Sequence, residues 1–130
     1  MTILDTSILV ALLKDDEAVK ERIRALEAER ASLSTTAITA YELLKGAEIS
    51  LKKEENVTKV RALVSSLNVI GLGINACEEA AKIYHELRAK GKIIGEFDVL
   101  IASIVKSVDD ELVTRDEHFK YIRGLRVSKW

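Results

Sequence analysis

Short β-prone runs stand at Thr2–Leu4, Ala31–Thr35, Asn68–Ile70 and Glu111–Thr114, and between them apolar residues recur at helical spacing. Thr2–Leu4 stops at Asp5-Thr6-Ser7, a polar triplet able to cap the apolar Ile8–Leu13 segment. Glu17–Ala31 carries Val19, Ile23 and Leu26 with charges between them, the pattern of an amphipathic surface helix. Thr36 is placed to cap a helix reaching Ser50, and Lys52–Ser66 continues with Val57, Val60, Leu63 and Val64 on one face. Asn68–Ile70 then reads as a buried strand. Asn75-Ala-Cys-Glu78 has the pattern of a capping box opening a helix over Ala76–Lys90, with Gly91 where a terminating glycine belongs. Glu96–Ser107 is largely apolar with Asp98 inside it, and Leu125–Val127 adds a last short strand. Strands alternating with helices predict an α/β fold, a three-layer α/β/α sandwich around a central parallel sheet.

Composition narrows the function classes. At 130 residues and 48% hydrophobic, the chain has the length of one domain, 1–130. Its 20 Lys and Arg balance 21 Asp and Glu for a net charge of −1, which excludes binding nucleic acid by bulk electrostatics. A single cysteine, Cys77, forms no internal disulfide, and two histidines are too few for a Cys/His zinc cage, so a reducing compartment is expected. There is no basic leader and no long uncharged apolar run, which predicts a cytoplasmic protein away from membranes.

Four acids stand in apolar company. Asp5 follows Ile3-Leu4 at the carboxyl end of the first strand, the edge where parallel sheets place ligands, and Asp116 follows Leu112-Val113-Thr114 at the end of a later one. Glu42 lies between Ala40-Tyr41 and Leu43-Leu44, and Asp98 precedes Val99-Leu100-Ile101-Ala102. Singly, each has an ordinary reading, a helix cap for Asp5 and Asp116 and a partly exposed helix face for Glu42 and Asp98. Jointly they differ, because helices entering from the strand-end edge bring Glu42 and Asp98 toward Asp5 and Asp116. Crowded carboxylates must protonate or hold a cation. An all-oxygen donor set favours Mg²⁺ or Mn²⁺, whose chemistry suits phosphodiester hydrolysis by an activated water.

In these contexts the chain resembles the PIN domain family, specifically the toxins of VapBC toxin–antitoxin systems. The resemblance is carried by Ile3-Leu-Asp5-Thr-Ser7, Thr39-Ala-Tyr-Glu42-Leu-Leu-Lys-Gly46, Phe97-Asp98-Val-Leu-Ile-Ala102 and Leu112-Val-Thr114-Arg-Asp116-Glu-His-Phe119, in that order across nearly the whole chain. It implies a PIN-like sandwich in which Asp5, Glu42, Asp98 and Asp116 are both catalytic and metal-holding around Mg²⁺ or Mn²⁺, with the hydroxyls of Ser7 and Thr114 nearby. One departure is Ile93-Ile-Gly-Glu96, where many relatives have a proline before the third acid. The resemblance further implies an endoribonuclease toxin that pairs into a homodimer and is inhibited by a small VapB-type antitoxin, one of whose basic side chains meets the acids. For RNA, Lys45 and Arg115 are the first candidate contacts, with a solvated surface as the ordinary alternative.

Rival readings are weaker. A haloacid-dehalogenase-type phosphatase wants an acid where Ser7 stands, and a response-regulator receiver wants paired acids after the first strand. His85 and His118 could serve a two-histidine nuclease, but His85 sits mid-helix and His118 lies two residues past Asp116. Cys77 has no accompanying nucleophile constellation. Two alternatives within the fold remain open, an RNA-maturation nuclease and a catalytically silent PIN-like binding module.

Overall fold

The computed structural model describes residues 2–130. In chain order the elements are β1 (Thr2–Leu4), α1 (Thr6–Leu13), α2 (Glu17–Ala28), β2 (Leu33–Thr36), α3 (Ala37–Glu48), α4 (Lys53–Ser65), β3 (Asn68–Ile70), α5 (Ile74–Ala89), α6 (Glu96–Ser107), β4 (Glu111–Thr114), a 3₁₀ turn (Glu117–Tyr121) and β5 (Arg126–Lys129). The strands form one five-stranded sheet in the order β3-β2-β1-β4-β5. Every pairing is parallel. The expected α/β/α sandwich is therefore the observed architecture.

Alternation along the central strands divides the core. Ile3 of β1 and Leu112 of β4 face one layer, packed with Ala80, Ile83, Val99, Ala102 and Phe119. Their neighbours Leu4 and Val113 face the other, with Ile8, Leu9, Val19, Leu43 and Val60. A strand buried on both faces reads as a continuous apolar run, which is what Ile3-Leu4 and Leu112-Val113 are. Among the described residues no helix is long and apolar enough to cross a membrane.

Three local expectations are corrected. The helix after β3 opens at Ile74 rather than Ala76, because the Cys77 amide already bonds to the Gly73 carbonyl at 3.0 Å; Asn75 falls inside the first turn, and Gly73 at the cap offers no side chain. The glycine at its other end behaves as expected. Gly91 takes φ 68°, and the Lys92 amide reaches back to the Leu87 carbonyl at 2.9 Å. Helix α2 stops at Ala28, before Ala31, through the same motif built on a non-glycine residue: Arg30 adopts φ 58° and the Ala31 amide bonds to Leu26. Finally, β3 is not buried. It is an edge strand with Asn68 and Val69 exposed.

Strand order also fixes where a ligand goes. The chain builds outward from β1 through β2 to β3, then returns to the other side of β1 to lay down β4 and β5. Connections therefore leave β1 and β4 in opposite directions, and a crevice opens beyond their carboxyl ends. Asp5 and Asp116 stand there.

Candidate functional site

Asp5 occupies the turn from β1 into α1. Though at the N-cap position, its side chain does not cap the helix. Its Oδ2 accepts hydrogen bonds from the Thr114 hydroxyl at 2.6 Å and the Ser7 hydroxyl at 3.1 Å, which aims the carboxylate across the sheet edge toward β4. Asp5 is 3% exposed, and that burial pushes its carboxyl above the usual range, an effect the Thr114 and Ser7 hydroxyls oppose. Ser7 and Thr114 thus both stand against the Asp5 carboxylate. They also close the junction, since Ser7 Oγ accepts from the Arg115 amide at 3.0 Å and Thr114 Oγ1 from the Asp116 amide at 3.0 Å.

Glu42 arrives from α3. That helix is capped as its sequence predicts, with the Thr36 hydroxyl accepting from the Thr39 amide at 3.1 Å. Thr6, in the first turn of α1, donates its hydroxyl to Glu42 Oε1 at 2.8 Å and lies 3.0 Å from the buried Thr39 hydroxyl. Thr6 and Thr39 hold Glu42 in place, yet neither carries a sequence signal beyond standing beside an acid or a cap. Removing the Thr6 hydroxyl in the near-isosteric Thr6→Val should lower kcat for the site's reaction about 10- to 100-fold, the usual effect of losing a hydrogen bond that orients a ligating side chain, with KM little changed. Thr6→Ser should restore it. Equal loss in both variants would mean that packing, not the hydroxyl, is what matters.

Asp98 sits in the first turn of α6, one helical turn from Gly95, where an added Cβ would lie 3.4 Å from Asp98 Oδ2. Its carboxyl is pushed up to about 6, by desolvation first and then by the charges of Asp116, Asp5 and Glu42, with His118 opposing. The fold therefore brings Asp116, Asp5 and Glu42 into electrostatic reach of Asp98, with Asp116 the acid whose oxygen comes within 4.8 Å.

Asp116 follows β4 and caps the 3₁₀ turn. Its Oδ1 accepts from the His118 amide at 2.8 Å, and the His118 Nδ1 lies 3.0 Å from the same oxygen. The cap reading of this aspartate is the observed one, and the same side chain lies beside Asp98. His118 joins the cluster unannounced, with ligand atoms of Asp98, Asp116 and His118 all within 4.8 Å of one another. The spacing Asp116-x-His118 gives no warning of this, because only the tight 3₁₀ turn folds the ring back onto the carboxylate.

The two basic candidates diverge. Lys45 projects from α3 on the exposed side, its ammonium 5.3 Å from the Tyr41 ring centroid and 5.1 Å from that of Phe97. Arg115 is engaged within the protein, donating through Nη1 to Asp16 Oδ2 at 3.0 Å and through Nε to the Trp130 carbonyl at 3.2 Å. From Thr6 and Glu42 a groove of about 390 Å³ runs between α1, α3 and α4, its walls including Val10, Leu13, Leu43, Ala47 and Val60.

The chain is similar over almost its whole length to known proteins. The PIN domain family matches residues 2–125. A tRNA(fMet)-specific endonuclease VapC of Salmonella typhimurium is 33% identical, covering 98% of this chain and 96% of its own. A ribonuclease VapC2 of Rickettsia felis is likewise 33% identical over 98% and 96%. Among solved structures, VapBC2 from Rickettsia felis bound to a DNA fragment from its promoter superposes with a TM-score of 0.92 at 31% identity, covering 99% and 98% of the two chains. DNA-bound VapBC from Salmonella typhimurium does so with a TM-score of 0.90 at 30% identity, covering 99% and 97%.

Proposed function

The chain belongs to the PIN domain family, through its VapC members, and from that premise we propose that it is a metal-dependent endoribonuclease, the toxin of a type II toxin–antitoxin pair. The observation that supports this reading is the placement of Asp98, Asp116 and His118 with candidate donor atoms within 4.8 Å of one another, beside Asp5 and Glu42, whose charges act on Asp98. Such a cluster is costly without a cation. The donor set fits a hard divalent ion, with four carboxylates and no thiolate, so Mg²⁺ or Mn²⁺ is the assigned cofactor. When bound, the ion neutralises phosphate charge and lowers the pKa of a water.

The protein's own side chains prepare for this. Hydrogen-bond donors converge on one oxygen of three of the acids, Oδ2 of Asp5, Oε1 of Glu42 and Oδ1 of Asp116. We assign the second oxygen of each to the cation. Fixing one oxygen sets the rotamer in advance, so less entropy is lost when the pocket fills. His118 stands at the mouth, where its ring, held at Asp116, can hold a proton at Nε2 toward the departing oxygen of a cleaved phosphodiester. The chain would act as one catalytic domain spanning 1–130, in the cytoplasm, where the single cysteine stays reduced.

For the partner, a VapB-type antitoxin segment is assigned to the groove between α1, α3 and α4. Its apolar walls lead directly to Glu42, where an antitoxin arginine would pair with the acids. The active species is proposed to be a homodimer.

The test is cleavage of purified RNAs, initiator tRNA among them, by the purified chain in Mg²⁺ or Mn²⁺ and in excess chelator. Cleavage with metal, none in chelator, and inhibition by the co-purified antitoxin are expected. Cleavage that persists in chelator would overturn the metal reading. Cleavage by a chain that is harmless when expressed alone would favour RNA maturation over toxicity.

A further inference from the structure

The pocket attracts a cation but repels RNA, so the grip on the nucleic acid must come from its rim. There the sequence repeats a pattern on two separate helices. Glu42 is preceded by Tyr41 on α3, and Asp98 by Phe97 on α6. Consecutive helical residues diverge by about 100°, so a helix that turns its acid inward carries the preceding aromatic round toward the edge. The two rings meet there, with centroids 5.7 Å apart and an interplanar angle of 88°. Lys45, one turn after Tyr41 on the same face of α3, holds its ammonium 5.3 Å from one ring centroid and 5.1 Å from the other.

Neither ring belongs to the packed core on either side of the sheet. Tyr41 is 51% exposed, a large apolar face left in water although the chain has only 3 Tyr and 2 Phe. An edge-to-face pair keeps one ring face open. With a cation alongside, it offers what a nucleotide presents a need for, a surface for the base and a charge for the phosphate.

We propose that Tyr41, Phe97 and Lys45 form a stacking platform that holds an unpaired nucleobase of the RNA beside the four acids. The proposal rests on the ribonuclease reading and deepens it, because stacking accepts any base but only one that is out of a duplex. Tyr41 supplies most of the surface, Phe97 sets its angle, and Lys45 turns from the rings to the adjoining phosphate when a base arrives.

The experiment compares binding of a short single-stranded RNA with binding of an abasic sugar-phosphate strand of equal length, by fluorescence anisotropy in chelator, where no cleavage occurs. Wild type should prefer the base-bearing strand by about tenfold, within the range that stacking on one aromatic residue supplies. Tyr41→Ala should lose that preference, and Tyr41→Phe should keep it. Lys45→Gln should leave the preference intact and reduce the salt slope on both strands by about 0.7. A wild type that binds both strands equally would overturn the platform even where RNA is cleaved in metal. A base preference in a protein that cleaves no RNA would leave the platform standing and remove the ribonuclease reading. A Tyr41→Ala variant that keeps the preference but changes its sedimentation from dimer to monomer would make these rings a seam between two copies and overturn the proposal.

Discussion

Asp98→Asn should reduce RNA cleavage in Mg²⁺ or Mn²⁺ by about 10²- to 10³-fold, the scale on which one preorganised electrostatic group is felt in an active site. The substitution preserves the size of the side chain and a hydrogen-bonding amide, so helix α6 and the Val99, Ile101 and Ala102 packing behind it are undisturbed. What changes is charge beside Asp116 and within electrostatic reach of Asp5 and Glu42. The loss should fall on kcat, since Tyr41, Phe97 and Lys45 still hold the strand. In excess chelator, wild type and variant should be equally inert. As a control, Glu21→Gln on the exposed side of α2 removes the same charge elsewhere and should cleave like wild type. Comparable activity of Asp98→Asn and wild type in metal would sink the assignment of Asp98.

The placement of that acid was open to sequence reasoning for a definable reason. Asp5 and Asp116 each follow an apolar strand, and the strand-end edge of a parallel sheet is where such residues gather. Glu42 and Asp98 needed the further step that two helices enter from that edge, which their apolar flanks imply. The supports of the site were much less legible. Thr6 grips Glu42 across 36 positions, and Thr114 grips Asp5 across 109; spacing within one element says nothing about pairs so far apart in the chain. His118 depends on a 3₁₀ turn that has no apolar periodicity to announce it.

Fold errors have the same origin. Helix α2 ends three residues before its amphipathic pattern does because Arg30 accepts a left-handed conformation that glycine usually signals. The strand at Asn68–Ile70 is apolar enough to look buried, but burial depends on strand order, and β3 falls at the sheet edge. Arg115, just past the end of β4, donates to Asp16 and to the Trp130 carbonyl, partners that lie 99 and 15 positions away and that its place beside Asp116 does not announce.

Stability should invert with metal, and this second large effect separates a cation site from an ordinary polar cluster. In metal-free protein the Asp98 carboxyl is pushed up to about 6, against an ordinary 3.8, by desolvation first and then by Asp116, Asp5 and Glu42, with His118 opposing. A carboxyl raised on folding favours the folded state fully below about pH 4, and that contribution is lost as pH climbs through about 6. At pH 7.5 in chelator, therefore, Asp98→Asn should be more stable than wild type. The full shift corresponds to roughly 3 kcal/mol, but the carboxyl keeps solvent contact, so about 1 kcal/mol is expected, or a melting temperature higher by about 4 °C. At pH 4 the two should melt together. Asp98 is the better position for this test than Asp5, whose Oδ2 accepts two hydroxyl hydrogen bonds that an amide would satisfy less well. With Mg²⁺ or Mn²⁺ at about 100 times its dissociation constant, wild type should gain about 2.7 kcal/mol and the variant much less, so the order of melting temperatures reverses. Equal metal-induced shifts in the two proteins, or an Asp98→Asn variant less stable than wild type in chelator at pH 7.5, would remove Asp98 from the cation site.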